Sequence, residues 1–199
     1  MKALHWLAGA ALVFEMPVPF YWLVLHGRVE FWRRHVRLGY LCAVLLAWGG
    51  GGSLLYHFRR ELFSNPSAAG SAQPLWAIVA GLLLIAADAF LLTTVEIELG
   101  GRRLVGQAEL TRSGELTTRS LYAHVRHPRY LGMIAAVVGA CLLAGTPRLW
   151  IVAALWLGVA LLAVRLEDRE LRLRFGTAYA EYAKRVPALL PLRFGSHRG

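Results

Sequence analysis

Two polar clusters in the second half of the sequence are able to bind a charged ligand. The first is the basic run Arg-His-Pro-Arg at residues 126–129. Pro128 suits the first turn of a helix, where its missing N–H costs nothing and the other free N–H groups bind anions. The second cluster consists of the adjacent carboxylates of Glu167 and Asp168. Together the clusters match a zwitterionic ligand that carries both a carboxylate and a cationic centre.

Each cluster also has a simpler interpretation. The basic run is suited to binding the phosphates of lipid head groups as a collar. The two carboxylates can instead form surface ion pairs with Arg165, Arg169 or Arg172, and such exposed pairs contribute little free energy. The residues alone leave these alternatives open and do not name the ligand.

The elements that carry these clusters are strongly apolar. Of the 199 residues, 57% are hydrophobic and 17% are charged, and the mean hydropathy is +0.47. Soluble domains are about 45–50% apolar and about 25% charged, so the composition indicates a membrane protein. It excludes a disordered chain. The two cysteines, Cys42 and Cys141, lie in apolar runs, which excludes a disulfide-stapled secreted domain.

Five apolar runs approach the length of about 20 residues that a membrane-spanning helix needs. They cover approximately residues 4–25, 38–56, 74–97, 130–145 and 149–166. Because only residues 146–148 separate the last two runs, they predict a tight antiparallel hairpin. The expected fold is an all-α membrane protein with about five spans in one domain over residues 1–199.

The basic residues indicate how this protein lies in the membrane. The net charge is +10, and most of the 22 Lys and Arg residues fall in segments 26–37 and 98–129 and in the tail after residue 164. Basic loops stay on the cytoplasmic side, which predicts an outside N-terminus and a cytoplasmic C-terminus. The charge then favours anionic lipid head groups as partners, and no nucleic-acid partner is predicted.

The tail after the fifth run has one apolar helical face. Its residues recur at spacings of 4, 4, 3 and 4, as Leu171, Phe175, Tyr179, Tyr182 and Val186. This pattern predicts a cytoplasmic amphipathic helix at the membrane surface. Tyr179 and Tyr182 are expected to anchor that helix at the interface rather than to form a wall of the pocket.

Two acids lie inside the predicted spans. Acids in such positions are functional candidates, so Glu15 and Asp88 either contact a substrate or are capped by neighbouring helices. Pro17 and Pro19, beside Glu15, predict a kink in the first helix.

Three motifs, which occur in order over approximately residues 115–191, resemble those of a known family. The stretch 125–132, Val-Arg-His-Pro-Arg-Tyr-Leu-Gly, resembles the RHPxYxG signature of isoprenylcysteine carboxyl methyltransferases and their bacterial relatives. Residues 166–171 resemble the acidic pair of these enzymes and of the phospholipid N-methyltransferases. Phe175-Gly176, Tyr179, Tyr182 and Val186-Pro187 match the family ending FGxxYxxYxxxVP.

The resemblance implies an integral-membrane methyltransferase that uses S-adenosylmethionine, bound by a half of the chain over about residues 98–199. No metal is expected, and the expected location is a bacterial inner membrane. The cofactor-binding residues that it implies are Tyr122, His127, Pro128, Tyr130, Gly132, Glu167 and Asp168. This sequence departs from the family pattern in three places: Asp168 replaces the commoner Glu, Arg169 replaces Pro, and Ser120-Leu121 replaces Gly-Pro.

The methyl acceptor implied by the resemblance is lipophilic and is drawn from the bilayer. A carboxylate of the isoprenylcysteine type is favoured, with Glu167, Arg126 and Arg165 in catalytic roles, the arginines orienting the acceptor. A phospholipid, thiol or amine acceptor is the alternative, and an amine or thiol acceptor would require His124 or His127 as a base.

Two further hypotheses remain open. One is a membrane reductase that uses NADPH, although the sequence has no G-x-G-x-x-G fingerprint. The other is a non-enzymatic membrane scaffold whose basic loops only fix the topology.

Overall fold

The regular elements of the structure, a computed structural model, are all helical. The structure describes residues 2–27, 29–35, 41–64, 73–100 and 115–190, so parts of the predicted cytoplasmic segments, such as 101–114, lie outside the described residues. The helices are α1 Lys2–Glu15, α2 Pro17–Gly27, α3 Val29–Arg34, α4 Leu41–His57, α5 Arg59–Phe63, α6 Leu75–Leu99, α7 Pro128–Ala144 and α8 Pro147–Arg185. The prediction of an all-α protein is confirmed.

Among the described residues, three helical stretches are long and apolar enough to cross a membrane. They are Ala3–Gly27, which combines α1 and α2, then α6 and α8. Many of their large apolar side chains are exposed, including Trp76 and Leu155, which is expected where lipid surrounds a helix. The other two predicted spans, α4 and α7, are shorter apolar helices. The chain is therefore an integral membrane protein, and the count of five spans stays a prediction.

The first span is interrupted beside its prolines. Helix α1 ends at Glu15 and α2 begins at Pro17. Proline lacks an N–H and cannot continue the helical hydrogen-bond ladder, which interrupts the helix at this point. The indole N–H of Trp156 on α8 donates to the carbonyl of Met16 at 2.9 Å, which attaches the break to the last span.

Helices α6 and α7 pack with little side chain between them. A Cβ placed on Gly139 would lie 2.7 Å from the carbonyl oxygen of Gly81. Small residues of this kind let membrane helices approach closely. A Cβ on Gly132 would lie 2.6 Å from Oδ1 of Asp88. The first turns of α7 therefore lie against the acidic part of α6.

The predicted tail helix is not a separate element. Helix α7 ends at Ala144, and α8 begins at Pro147 and runs for 39 residues. Its only non-helical residue is Gly176, with φ 56° and ψ −128°, where the chain changes direction. The periodicity of the tail is helical as expected, but the sequence does not show that this helix continues directly from the last span.

Candidate functional site

A cleft opens where the segment before α7 meets the second half of α8. Its empty volume is about 860 Å³ when the space open to solvent is counted. Six of the residues predicted for the site line it: Tyr122, Arg126, His127, Pro128, Tyr130 and Glu167. The basic run and the first acid of the pair thus share one cleft.

Asp168 is the centre of the polar network beside this cleft. Its Oδ1 lies 2.8 Å from Nε2 of His127, and its Oδ2 accepts a hydrogen bond of 2.9 Å from Nη2 of Arg126. The hydroxyl of Tyr179 also donates to Oδ1. Because three partners hold it, Asp168 has little capacity left for a ligand, and it is not among the described residues that line the cleft.

Glu167 has a different position. Its Oε1 lies 3.7 Å from Nδ1 of His127, which is too long for a strong hydrogen bond. The side chain lines the cleft. Of the two adjacent acids, Glu167 is therefore the one that faces the open space.

His127 lies between these two carboxylates, just before α7 and outside the membrane-spanning segments. Burial alone would lower its pKa, but the charge of Glu167 and the hydrogen bond to Asp168 outweigh burial and raise the pKa of His127 to about 9. The imidazole therefore carries a proton at neutral pH, donates toward both acids and is not a free base.

The family ending closes one wall of the cleft. Tyr179 and Tyr182 are buried and line the cavity, and the Tyr182 hydroxyl donates to the carbonyl of Tyr122 at 2.6 Å. The break at Gly176 redirects the chain before both tyrosines. They are walls of the cleft, so the expectation that they mainly anchor a surface helix is wrong.

Backbone hydrogen bonds hold the same wall to the basic run. The N–H of Arg126 donates to the carbonyl of Pro187 at 2.9 Å, and the N–H of His127 donates to that of Ala188 at 3.0 Å. The Val-Pro end of the family motif thus lies directly against the Arg-His-Pro turn.

Two predicted site residues lie elsewhere. Gly132 packs against Asp88 on α6, and Arg165 is exposed on α8. Neither is among the described residues that line the cleft. The structure therefore does not bring the Arg165 guanidinium to the place where an acceptor would bind.

Arg129 forms ion pairs with both acids of the apolar spans, Glu15 and Asp88. Its Nη2 lies 2.5 Å from Oε2 of Glu15, and its Nη1 lies 2.8 Å from Oδ1 of Asp88. All three side chains are largely buried. Glu15 and Asp88 are thus capped by a neighbouring helix, which is one of the two roles expected for them, and Arg129 lines the cleft with its guanidinium already paired to both acids.

Sequence reasoning missed the part of the apolar wall that comes from α2 and α6, as Trp22, Val95 and Leu99. The rest of this wall, Leu171 and Phe175 on α8, was expected only as the apolar face of the tail helix. These residues resemble any others in an apolar span, because nothing in the periodicity distinguishes a cavity wall from a surface that faces a helix or lipid.

The cleft combines groups that suit a ligand with a flat ring and a zwitterionic end. Aromatic side chains of Trp22, Tyr122 and Phe175 can contact a ring, and Glu167 can accept hydrogen bonds. The N–H groups in the first turn of a helix have no intrahelical acceptor. No side chain caps the start of α7, so these groups can bind an anion.

Comparisons with known proteins identify the family of this chain. Residues 76–178, just over half of the chain, match the phospholipid methyltransferase family. The chain is 31% identical over 111 residues to methanethiol S-methyltransferase 2 of Bradyrhizobium diazoefficiens, which covers 56% of this chain and 39% of the relative. It is 32% identical over 119 residues to the protein-S-isoprenylcysteine O-methyltransferase of Rattus norvegicus, 58% of this chain and 42% of the relative.

These alignments span about two fifths of the length of each curated relative. No solved structure matches the chain. The matched region runs from the start of α6 past the break at Gly176 and includes the Arg-His-Pro turn and the acidic pair, so the family resemblance read from the three motifs is confirmed. The chain belongs to the phospholipid methyltransferase family.

Proposed function

We propose that this chain transfers a methyl group from S-adenosylmethionine to a lipophilic acceptor drawn from the bilayer. The observation that carries the proposal is the single cleft, at the ends of apolar helices, that His127 and Glu167 share. The two relatives are named for methyl transfer to sulfur and to oxygen. Methyl transfer is thus common to both names, whereas the acceptor differs.

The residues of the cleft fit this cofactor. Glu167 would accept hydrogen bonds from its amine or ribose hydroxyls, and the first N–H groups of α7 would bind its carboxylate. Trp22, Tyr122 and Phe175 supply surfaces for its adenine ring. When bound, the cofactor supplies a methyl carbon on a positively charged sulfur, which a nucleophile attacks in line.

The two adjacent acids then have separate roles. Glu167 is the ligand-facing acid, and Asp168 positions His127, Arg126 and Tyr179 through three hydrogen bonds. These hydrogen bonds hold the side chains of the cleft in place before the reactants bind, as catalysis by positioning requires. Such alignment of reactants lowers the activation barrier by about 7–11 kcal/mol.

A carboxylate acceptor, which the resemblance favours, needs a cation to orient it. Arg126 is the nearer candidate, but it already donates to Asp168 and to the carbonyl of Ala183. Arg165 is exposed. The buried Nε of Arg126 has no hydrogen-bond partner among the described residues, so Arg126 stays a candidate for orienting such an acceptor, whereas the exposed position of Arg165 does not support that role.

The proposed cofactor site also determines the membrane topology that we propose. The cofactor reaches the cleft from the cytoplasm, which puts the start of α7 and the end of α8 on that side. Five crossings, with α7 and α8 as an antiparallel pair, then leave the N-terminus outside. The arginine-rich distribution supports this orientation, and the location that we propose is a bacterial inner membrane.

The test is calorimetric titration of the purified chain in detergent with S-adenosylhomocysteine. We expect binding to the wild type and a loss of about tenfold or more in Glu167→Gln, because a ligand–carboxylate hydrogen bond contributes about 1.5–3 kcal/mol. Glu181→Gln is the matched control, since Glu181 is an exposed acid on the same helix. Binding of NADPH alone would favour a reductase. Wild-type affinity in Glu167→Gln would favour the scaffold.

A further inference from the structure

Three arginines of α8 have no role in the cleft. They are Arg165, Arg169 and Arg172, which are all exposed and are not among the described residues that line the cavity. Arg169 also replaces the proline of the family pattern. We call these three residues the arginine stripe.

The spacing of the arginine stripe places its members on one side of α8. Successive residues of an α-helix are rotated by about 100°, so positions 165, 169 and 172 fall within a sector of about 60°. The helix is regular here, since its non-helical residue is Gly176. Glu167, which lines the cleft, lies about 160° from Arg165 around the helix. The stripe therefore faces away from the cleft.

The charge of the arginine stripe is not balanced by nearby acids. Within the part of the chain that the structure describes, no ion pair joins the stripe to a carboxylate. The adjacent acids contact other partners: Asp168 binds Arg126 and His127, and Glu167 lies beside His127. Glu170 is buried. The surface ion pairs that the sequence allowed here are therefore not formed.

The three guanidinium groups also repel one another. Like charges four residues apart on a helix are unfavourable, and this is the separation of Arg165 from Arg169. Arg172 lies over the ring of Tyr179, 6.0 Å from its centroid, a contact that does not compensate its charge. An anion bound across the stripe would relieve this repulsion.

The arginine stripe begins where α8 leaves its apolar part. Residues 149–164 include no charged side chain and extend for about 24 Å along the helix, close to the thickness of a hydrocarbon core. Leu161 and Leu162, one turn before Arg165, are exposed by 39% and 47%. An exposed apolar surface thus continues directly into a group of unbalanced positive charges.

We propose that the arginine stripe and this leucine surface form a binding site for an anionic glycerophospholipid. The guanidinium groups donate hydrogen bonds to the lipid phosphate, which arginine binds through paired N–H donors, and an acyl chain lies along Leu161 and Leu162. A soluble phosphate or an acidic protein segment would leave the leucines uncovered, so the combination favours a lipid. The site is independent of the proposed methyl transfer, because it lies on another side of α8.

The test is native mass spectrometry of the full chain in detergent, titrated with phosphatidylglycerol or with phosphatidylcholine of the same acyl chains. We expect phosphatidylglycerol to bind more tightly. Replacing all three arginines of the stripe by glutamine should weaken its binding about 100-fold, because each basic side chain at an anionic lipid surface contributes about fivefold. Arg169→Gln alone should weaken it about fivefold.

A matched control removes three exposed positive charges from other positions. It combines Arg119→Gln, Lys184→Gln and Arg185→Gln and should keep the wild-type affinity for phosphatidylglycerol. Equal binding of phosphatidylcholine, wild-type affinity in the triple stripe variant, or an equal loss in the control would each overturn the proposal.

Two further measurements separate the remaining explanations. Inorganic phosphate at the concentration of the lipid should not displace phosphatidylglycerol, and displacement would overturn the assignment to a lipid. Thermal unfolding in lipid-free detergent checks the fold, since the triple stripe variant should unfold at or above the wild-type temperature once the repulsion is removed. If that variant unfolds earlier, Arg169→Gln decides: a fivefold loss supports the site, and no loss overturns it.

Discussion

At the scale of single residues, the site is a network of ion pairs between oppositely charged side chains. The sequence suggests instead that a basic turn and an acidic pair lie on opposite walls and bind a ligand between them. In the structure Asp168 binds Arg126 and His127 directly, and Glu167 is the acid left at the surface of the cleft. A ligand therefore meets a prearranged and nearly neutral surface.

The raised pKa of His127 makes the stability of the chain depend on pH. Its folded pKa of about 9 lies above the unfolded value of 6.5, so its contribution, about 3 kcal/mol, is complete below pH 6.5 and is lost as the pH rises through 9. We expect the thermal unfolding temperature in detergent to fall between pH 6.5 and 10. His127→Gln should remove this dependence, and His124→Gln, at an exposed position, should keep it. A wild-type curve that is flat over this range would contradict the assignment.

The residues of the site could be predicted only where a short motif carries them. His127 and Glu167 belong to motifs whose chemistry is readable from residue type and spacing. Gly132 belongs to the same motif as His127 but lies about 1.4 helical turns further along the chain. It therefore faces Asp88 on α6 and not the cleft. Trp22 comes from a distant helix, α2, and the rotation of an apolar helix is set by tertiary packing that its own sequence does not reveal.

At the scale of elements, the break in α8 decides the shape of the cleft. The helical periodicity of the tail was predictable, because Tyr179 and Tyr182 repeat at helical spacing. The change of direction at Gly176 was not, since a glycine in a helical pattern does not report its φ angle. This backbone conformation lets one long helix serve both as a membrane span and as the wall of a site.

Gly176→Ala tests that role. Its φ of 56° and ψ of −128° are unfavourable for a residue with a side chain, and strain of this kind costs about 1–3 kcal/mol. A Cβ there would meet no atom within 4 Å, so the cost comes from the backbone alone. We expect a lower unfolding temperature and weaker binding of S-adenosylhomocysteine.

Gly158→Ala is the matched control for this variant. Gly158 lies in the regular part of α8 and is also free of neighbours within 4 Å, so alanine should stabilise the chain by about 0.5–1 kcal/mol. Equal effects of the two substitutions would mean that the conformation at Gly176 carries no strain.

At the scale of the whole molecule, one guanidinium connects the two halves of the chain. Arg129 on α7 holds Glu15 on α1 and Asp88 on α6. Glu15 lies outside the region shared with the family, whereas the other two residues lie within it. The sequence marks both acids as unusual, but separations of 114 and 41 residues from Arg129 hide their common partner.

Removing this guanidinium should destabilise the entire protein. In Arg129→Met two buried carboxylates lose their counter-charge, and breaking a buried ion pair in this way costs about 3–5 kcal/mol. The triple variant with Glu15→Gln and Asp88→Asn should recover much of that loss, because no buried charge is left alone. Denaturant titration in detergent measures both, with the exposed Arg148→Met as control. A triple variant no more stable than Arg129→Met would show that charge balance is not what the cluster provides.

The backbone contacts of residues 126 and 127 with residues 187 and 188 also set an order of biosynthesis. During translation residues 126 and 127 are made before α8, which precedes Pro187 and Ala188. The amides of Arg126 and His127 find these carbonyl partners only after α8 has followed. Nascent chains stalled before residue 188 would therefore be integrated in the bilayer yet unable to retain the methyl donor.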